Sequence, residues 1–140
     1  MARGIYRKAT RTGGKGLGKF LGALELAVME LAWKRSGLTV KEAHEALTRS
    51  RSLAYTTVMT VMSRLAQKGL LLREKHGRAY TYRAAHRREE LRGLLAAEVS
   101  RALLADFGDV AVVQFVNQLD RVDPELMARL QHLTRADDDE

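Results

Sequence analysis

LAYTTVMTVMSRLAQKGLLLREKHGRAYTYR, residues 53–83, changes its period once, and that change decides the fold. Up to Lys68 the apolar residues Val58, Val61, Met62 and Leu65 recur at i, i+3, i+4 and i+7, the spacing of one helix face. Ser52 is the expected N-cap, and Lys68 followed by Gly69 supplies a cation and a left-handed residue at the C-terminus. The helix is therefore expected over about Leu53 to Lys68, with ends good to roughly two to four residues. Beyond Gly69 the Leu70-Leu71-Leu72 and Ala79-Tyr80-Thr81-Tyr82 runs read as two short strands around Lys75-His76-Gly77-Arg78, with Gly77 suited to a positive φ.

The polar face of that helix carries Thr56, Thr57, Thr60, Ser63, Arg64 and Gln67, where an ordinary surface helix carries long Glu/Lys pairs. Short hydroxyls and a guanidinium approach base edges and phosphates closely. A basic hairpin alone is an ordinary solvated surface feature; directly behind such a helix it reads as the wing of a winged helix. Tyr55 can pack on a sugar or phosphate, and Arg64 can make a bidentate contact to guanine or phosphate, its last-turn position favouring phosphate. Lys75, His76 and Arg78 are expected on backbone or minor groove. Met59 lies at an angle between the two faces, so groove and core are both open to it.

Charge is segregated along the chain. Residues 1–85 hold 17 Lys/Arg against 5 Asp/Glu, a net of +12, while residues 86–140 hold 7 against 12, a net of −5. A basic front suits a polyanion and an acidic back does not. The absence of cysteine removes disulfides and thiolate metal sites. His44, His76, His86 and His132 fall at no ligand spacing, so neither a metal nor a cofactor is expected, and each reads as a surface or capping histidine. No apolar run nears the roughly 18 residues that span a bilayer, and the basic N-terminus lacks the apolar core of a secretory signal. A protein of the cytoplasm, without membrane insertion, is the expectation.

Residues 1–20 hold Arg3, Arg7, Lys8, Arg11, Lys15 and Lys19 among five glycines and no carboxylate. They read as a flexible basic arm, either tracking phosphates or lying in a minor groove, or else as a plain tail. The Gly13-Gly14-Lys15-Gly16 run lacks the spacing and the hydroxyl of a phosphate loop. A first helix over Leu21–Arg35 is expected from the Leu21, Leu24, Val28, Leu31 stripe and a second stripe of Leu26, Met29 and Trp33. A second helix follows Thr39-Val40-Lys41-Glu42, a capping box, and buries Val40, Ala43 and Leu47. Thr39 at its N-terminus can either hold a phosphate or simply cap.

Helix, helix, helix, hairpin is winged-helix order. The runs LGALELAVMELAW, TVKEAHEAL, LAYTTVMTVMSRLAQKGLL and GRAYTYR resemble the BlaI/MecI/CopY family of penicillinase-repressor-type transcriptional regulators, over roughly Leu21 to Leu133. The Ala54-Tyr55-Thr56-Thr57-Val58 block is the most distinctive piece. The resemblance implies a homodimeric repressor whose third helices enter the major groove of an inverted-repeat operator in double-stranded DNA and whose C-terminal helices hold the dimer. It also implies relief either by a sensor protease cutting in the C-terminal helices or by metal binding at a C-terminal cysteine motif, a route closed here by the absence of cysteine; the nearest match to the family's cleaved bond is Gln114-Phe115.

The rest of the chain suits that role on its own terms. Leu91, Leu95, Val99, Ala102 and Leu103 form the stripe of a fourth helix over Arg87–Asp106. A fifth segment, Val110–Leu119, is apolar on most sides through Val112, Phe115, Val116 and Leu119. Asp123-Pro124 starts a sixth helix with Leu126, Leu130 and Leu133 on its face. So much apolar surface on small helices is expected to pair with a second copy. The expected fold class is mainly α with a small β-hairpin: an arm over 1–20, a winged helix over 21–85, dimerisation helices over 86–135 and an acidic tail over 136–140. Two rival functions remain at this point. A winged-helix protein-interaction module would want an apolar or acidic reading face, and a nonspecific architectural DNA binder would depend on the arm. No Ser/His/Asp set or shaped carboxylate pair supports an enzyme.

Overall fold

A computed structural model describes residues 16–138, so Arg3, Arg7, Lys8, Arg11 and the end of the acidic tail lie outside the described residues. A 3₁₀ turn, Gly16–Lys19, leads into six helices and one hairpin. These are α1 Ala23–Lys34, α2 Val40–Thr48, α3 Tyr55–Gln67, β1 Leu71–His76, β2 Ala79–Ala84, α4 Arg88–Phe107, α5 Asp109–Val122 and α6 Pro124–Asp138. The fold is thus mainly helical with a two-stranded antiparallel sheet. No helix among the described residues is long and apolar enough to cross a membrane.

The chain forms two compact units, the first running to Glu98 and the second from Val99 onward. In the first, α3 buries Val58, Met62 and Leu65 at 0% exposure against Val28 and Met29 of α1 and Ala43 and Leu47 of α2. The expected stripe is correct except that Val61 is only partly covered. No polar or charged residue is buried among the described residues. α1 starts at Ala23 rather than Leu21, because the Glu25 carboxylate accepts from the Gly22 amide at 3.1 Å and closes the turn there. Leu21, just outside the helix, is nevertheless core. Glu25 also pairs with Lys68 at 3.0 Å, tying the start of α1 to the end of α3.

α3 ends as expected. Gly69 takes φ 79°, its amide donates to the Ala66 carbonyl at 3.1 Å and that of Leu70 to Leu65 at 2.9 Å. This is the double closure of a Schellman motif, and it drops Leu70 and Leu71 straight into the core. Its start differs: the N-cap is Ala54, in extended conformation and with no side-chain cap, so Ser52 does not cap the helix. The hairpin is longer than expected. Both strands run to a two-residue turn, Gly77-Arg78, with His76 opposite Ala79; glycine at φ 63° followed by a residue without positive φ is the II′ pattern. A third strand position escaped the sequence reading: Leu38 exchanges two 2.8 Å hydrogen bonds with Tyr82, pinning the hairpin to the segment between α1 and α2.

The Trp33 indole donates to the His86 carbonyl at 2.9 Å and lies under the Arg88 guanidinium, 4.7 Å from its centroid, so this half-buried residue clamps the three residues between β2 and α4. In the second unit α5 and α6 pack on each other. Gly108, φ 59°, breaks α4 from α5, and Asp123 caps α6 through a 3.0 Å bond from the Leu126 amide, as its Asp-Pro start implies.

Two substitutions test these closures by urea unfolding at fixed protein concentration. Gly69→Ala must place a Cβ at positive φ and should lower stability by about 1–2 kcal/mol. Asp123→Ala should cost about 1 kcal/mol by freeing the first-turn amide of α6.

Candidate nucleic-acid interface

Because Val58, Met62 and Leu65 are sealed, the rotation of α3 about its axis is fixed, and the residues between them face outward. Thr56, Thr57, Thr60 and Arg64 are exposed, and so is Met59 at 44%, which decides that residue against the core. Tyr55, the first residue of the helix, is 47% exposed. Ser63 is half-buried at the edge of the face. The Thr60 hydroxyl donates back to the Thr56 carbonyl at 2.9 Å, which leaves its oxygen as an acceptor and its methyl outward-facing. Among the described residues the Arg64 side chain has no hydrogen-bond or ion-pair partner, so its donors remain for another molecule.

The wing has two chemically different sides. Strand alternation puts Arg73, Lys75, Tyr80 and Tyr82 on one face and Glu74, His76, Ala79 and Thr81 on the other. Lys75 and His76 are thus strand residues on opposite faces, and only Arg78 sits in the turn itself. On the first face Arg73 stacks over Tyr80, 4.4 Å from its centroid. On the second, His76 is 3.5 Å from Glu74, which offsets any positive charge there. The sequence reading ends the first strand at Leu72 and so leaves out Arg73; a strand register carried to His76 brings it across from Tyr80's strand.

Thr39 is used up by its own helix. Its hydroxyl accepts from the Glu42 amide at 3.1 Å and donates to Glu42 Oε1 at 3.0 Å, and the same carboxylate pairs with Arg35. Of the two roles open to Thr39, the structure shows the cap. Leu91 and Leu95, expected on the subunit-pairing face, are also reassigned: at 2% and 3% exposure they belong to the core of the first unit. Their spacing is that of a buried stripe, and sequence alone does not say which surface covers it. Of the remaining residues in that set, Leu103, Val112, Phe115, Leu126 and Leu130 are exposed and Val99, Val116 and Leu119 partly covered. Gln114 and Phe115 lie exposed within α5. Among the described residues no group of histidines and carboxylates is placed to hold a metal.

The sequence comparisons with known proteins agree on one family. The family model described as penicillinase repressor matches residues 21–136. The transcriptional regulator BlaI of Mycobacterium tuberculosis is 41% identical over 111 residues, 78% of this chain and 80% of that protein. The penicillinase repressor of Bacillus licheniformis is 34% identical over 58 residues, 41% of this chain and 45% of its own. A solution structure of monomeric B. licheniformis BlaI in complex with the blaP half-operator aligns with TM-score 0.43 and 28% identity, covering 50% of this chain and 85% of that one. Matched from the buried Leu21 into the last turn of α6, the chain belongs to the penicillinase repressor family, whose members are transcriptional regulators rather than enzymes.

Proposed function

We propose that this protein occludes a promoter by binding an inverted-repeat operator in double-stranded DNA as a homodimer, one α3 in the major groove of each half-site. The observation that carries this reading is the split of α3 itself: a sealed apolar side and an open side of hydroxyls, Met59 and Arg64. A helix presented this way by a winged-helix core fits a major groove, with Thr56, Thr57, Met59 and Thr60 at base edges and Tyr55, Ser63 and Arg64 toward the backbone. The α3 N-terminus has no side-chain cap, so its first amides are free to meet a phosphate oxygen. Arg73, Lys75, Arg78 and His76 extend the contact along the duplex from the wing, and the basic arm adds further phosphate contacts. Similarity to the penicillinase repressor of B. licheniformis supports repression as the outcome.

Homodimerisation is supported by the second unit, where large apolar side chains stand in solvent: Phe115 at 64%, Val122 at 79% and Leu133 at 65% exposure. Helices that leave so much uncovered acquire a stable burial by pairing with another copy, which also supplies the twofold axis an inverted repeat needs. Release by a sensor protease between Gln114 and Phe115 fits the same logic, because cutting α5 would divide the pairing surface. The bond is helical, so a turn of α5 must open before cleavage.

Selection of bound duplexes from a random pool with the purified full chain should recover an inverted repeat with half-sites spaced by about one helical turn or a multiple of it. Recovery of no enriched motif would sink the repressor reading in favour of nonspecific binding. Arg64→Ala should weaken binding to the recovered repeat by about 1–3 kcal/mol and reduce the salt slope by about 1 if the contact is to phosphate; relaxed preference at one base position would assign it to a base instead. Unchanged affinity at two salt concentrations removes Arg64 from the interface. Phe115→Asp should shift sedimentation from dimer toward monomer, and an unshifted dimer would exclude α5 from the pairing surface.

A further inference from the structure

Of the four histidines, His44 alone acts on the entrance to α3. It sits half-buried on α2, and its Nε2 is 2.8 Å from the Leu53 carbonyl oxygen. A carbonyl can only accept, so this nitrogen carries the proton and donates. The same ring meets Tyr55 edge to face, with centroids 5.7 Å apart and planes at 72°, an arrangement favoured by the ring quadrupoles. Leu53 and Tyr55 flank Ala54, the N-cap that has no side-chain bond of its own. One imidazole thereby fixes the last peptide before the helix and the first side chain on it. The approach, Arg49 to Ser52, is exposed throughout, so the surrounding core does little to hold it.

We infer that His44 is a positioning residue for the reading head: it does not touch DNA, but sets where Tyr55 and the first turn of α3 meet the duplex. The inference rests on the DNA reading above. Tyr55 is a large ring on a helix end, and holding it before encounter lowers the ordering cost of the contact. The hydrogen bond to Leu53 holds Ala54 and the first-turn amides in register with it. Removing either hold should therefore weaken the operator contact without removing any cation, leaving the electrostatic, sequence-independent part of binding as it was.

Two substitutions separate the two holds. His44→Phe keeps a ring and loses the donor; His44→Gln keeps an amide donor near the place of Nε2 and loses the ring. The full chain and both variants are titrated, at two salt concentrations, with the selected inverted-repeat duplex and with a scrambled duplex of equal length. The expected result for His44→Phe is about three- to tenfold weaker binding to the selected duplex, with a smaller loss for His44→Gln. Scrambled-duplex affinity, salt slope and circular dichroism should stay unchanged. Combined with Tyr55→Ala, the His44 losses should be less than additive, because they act partly through one side chain. Equal losses on both duplexes, strictly additive losses, or unchanged binding to the selected duplex would each overturn the inference. If His44→Phe fails to fold, the cycle between His44→Gln and Tyr55→Ala decides alone, with additivity the overturning result. A wild-type chain that prefers no duplex overturns the DNA reading itself, a different outcome from selective wild-type binding that His44 does not influence.

Discussion

Three side chains with no exposed surface, Val58, Met62 and Leu65, hold α3 in place. A helix pinned along one stripe cannot roll, because a roll of one residue would carry an apolar side chain into water and a threonine into the core, at a cost of a few kcal/mol. The outward direction of Thr56, Thr57, Met59, Thr60 and Arg64 is therefore a consequence of what is buried behind them. The same constraint extends past the helix: Gly69 turns the chain so that Leu70 and Leu71 join the same core, and the wing leaves from a fixed point. Leu38 then ties the hairpin back across Tyr82, so helix and wing are presented by one packed body.

Much of this was legible in the sequence because it depends on spacing. The stripe of α3, the left-handed glycine after it, the Thr-x-x-Glu cap of α2 and the Asp-Pro start of α6 are local patterns whose physics is complete within a few residues. What was misread depended on partners far along the chain. Ser52 is a good N-cap by residue type, but the chain around Leu53 is held extended and the helix begins after Ala54. Leu91 and Leu95 have the right period for a pairing helix and the wrong environment, being taken into the first unit. The hairpin was drawn too short because Arg73 to His76 is a polar run; its strand character comes from the cross-strand register and not from apolar alternation.

The two units divide their labour by where they put apolar surface. The first buries an apolar core around α3, with no polar or charged residue inside it among the described residues. The second leaves phenylalanine, valine and leucine in solvent along α5 and α6. This matches the charge split, with cations gathered where a polyanion would lie and carboxylates where none would.

Trp33 gives the molecule one further property. It is the single tryptophan of the chain, its indole is bonded to the His86 backbone and its ring lies beneath Arg88. Its emission therefore reports from the seam where the wing passes into α4, inside the first unit. Loosening of that seam should change the colour and intensity of the fluorescence, whereas separation of the helices beyond Glu98 should leave it dark to the change. The protein carries its own optical gauge, placed to tell melting of the first unit from melting of the second.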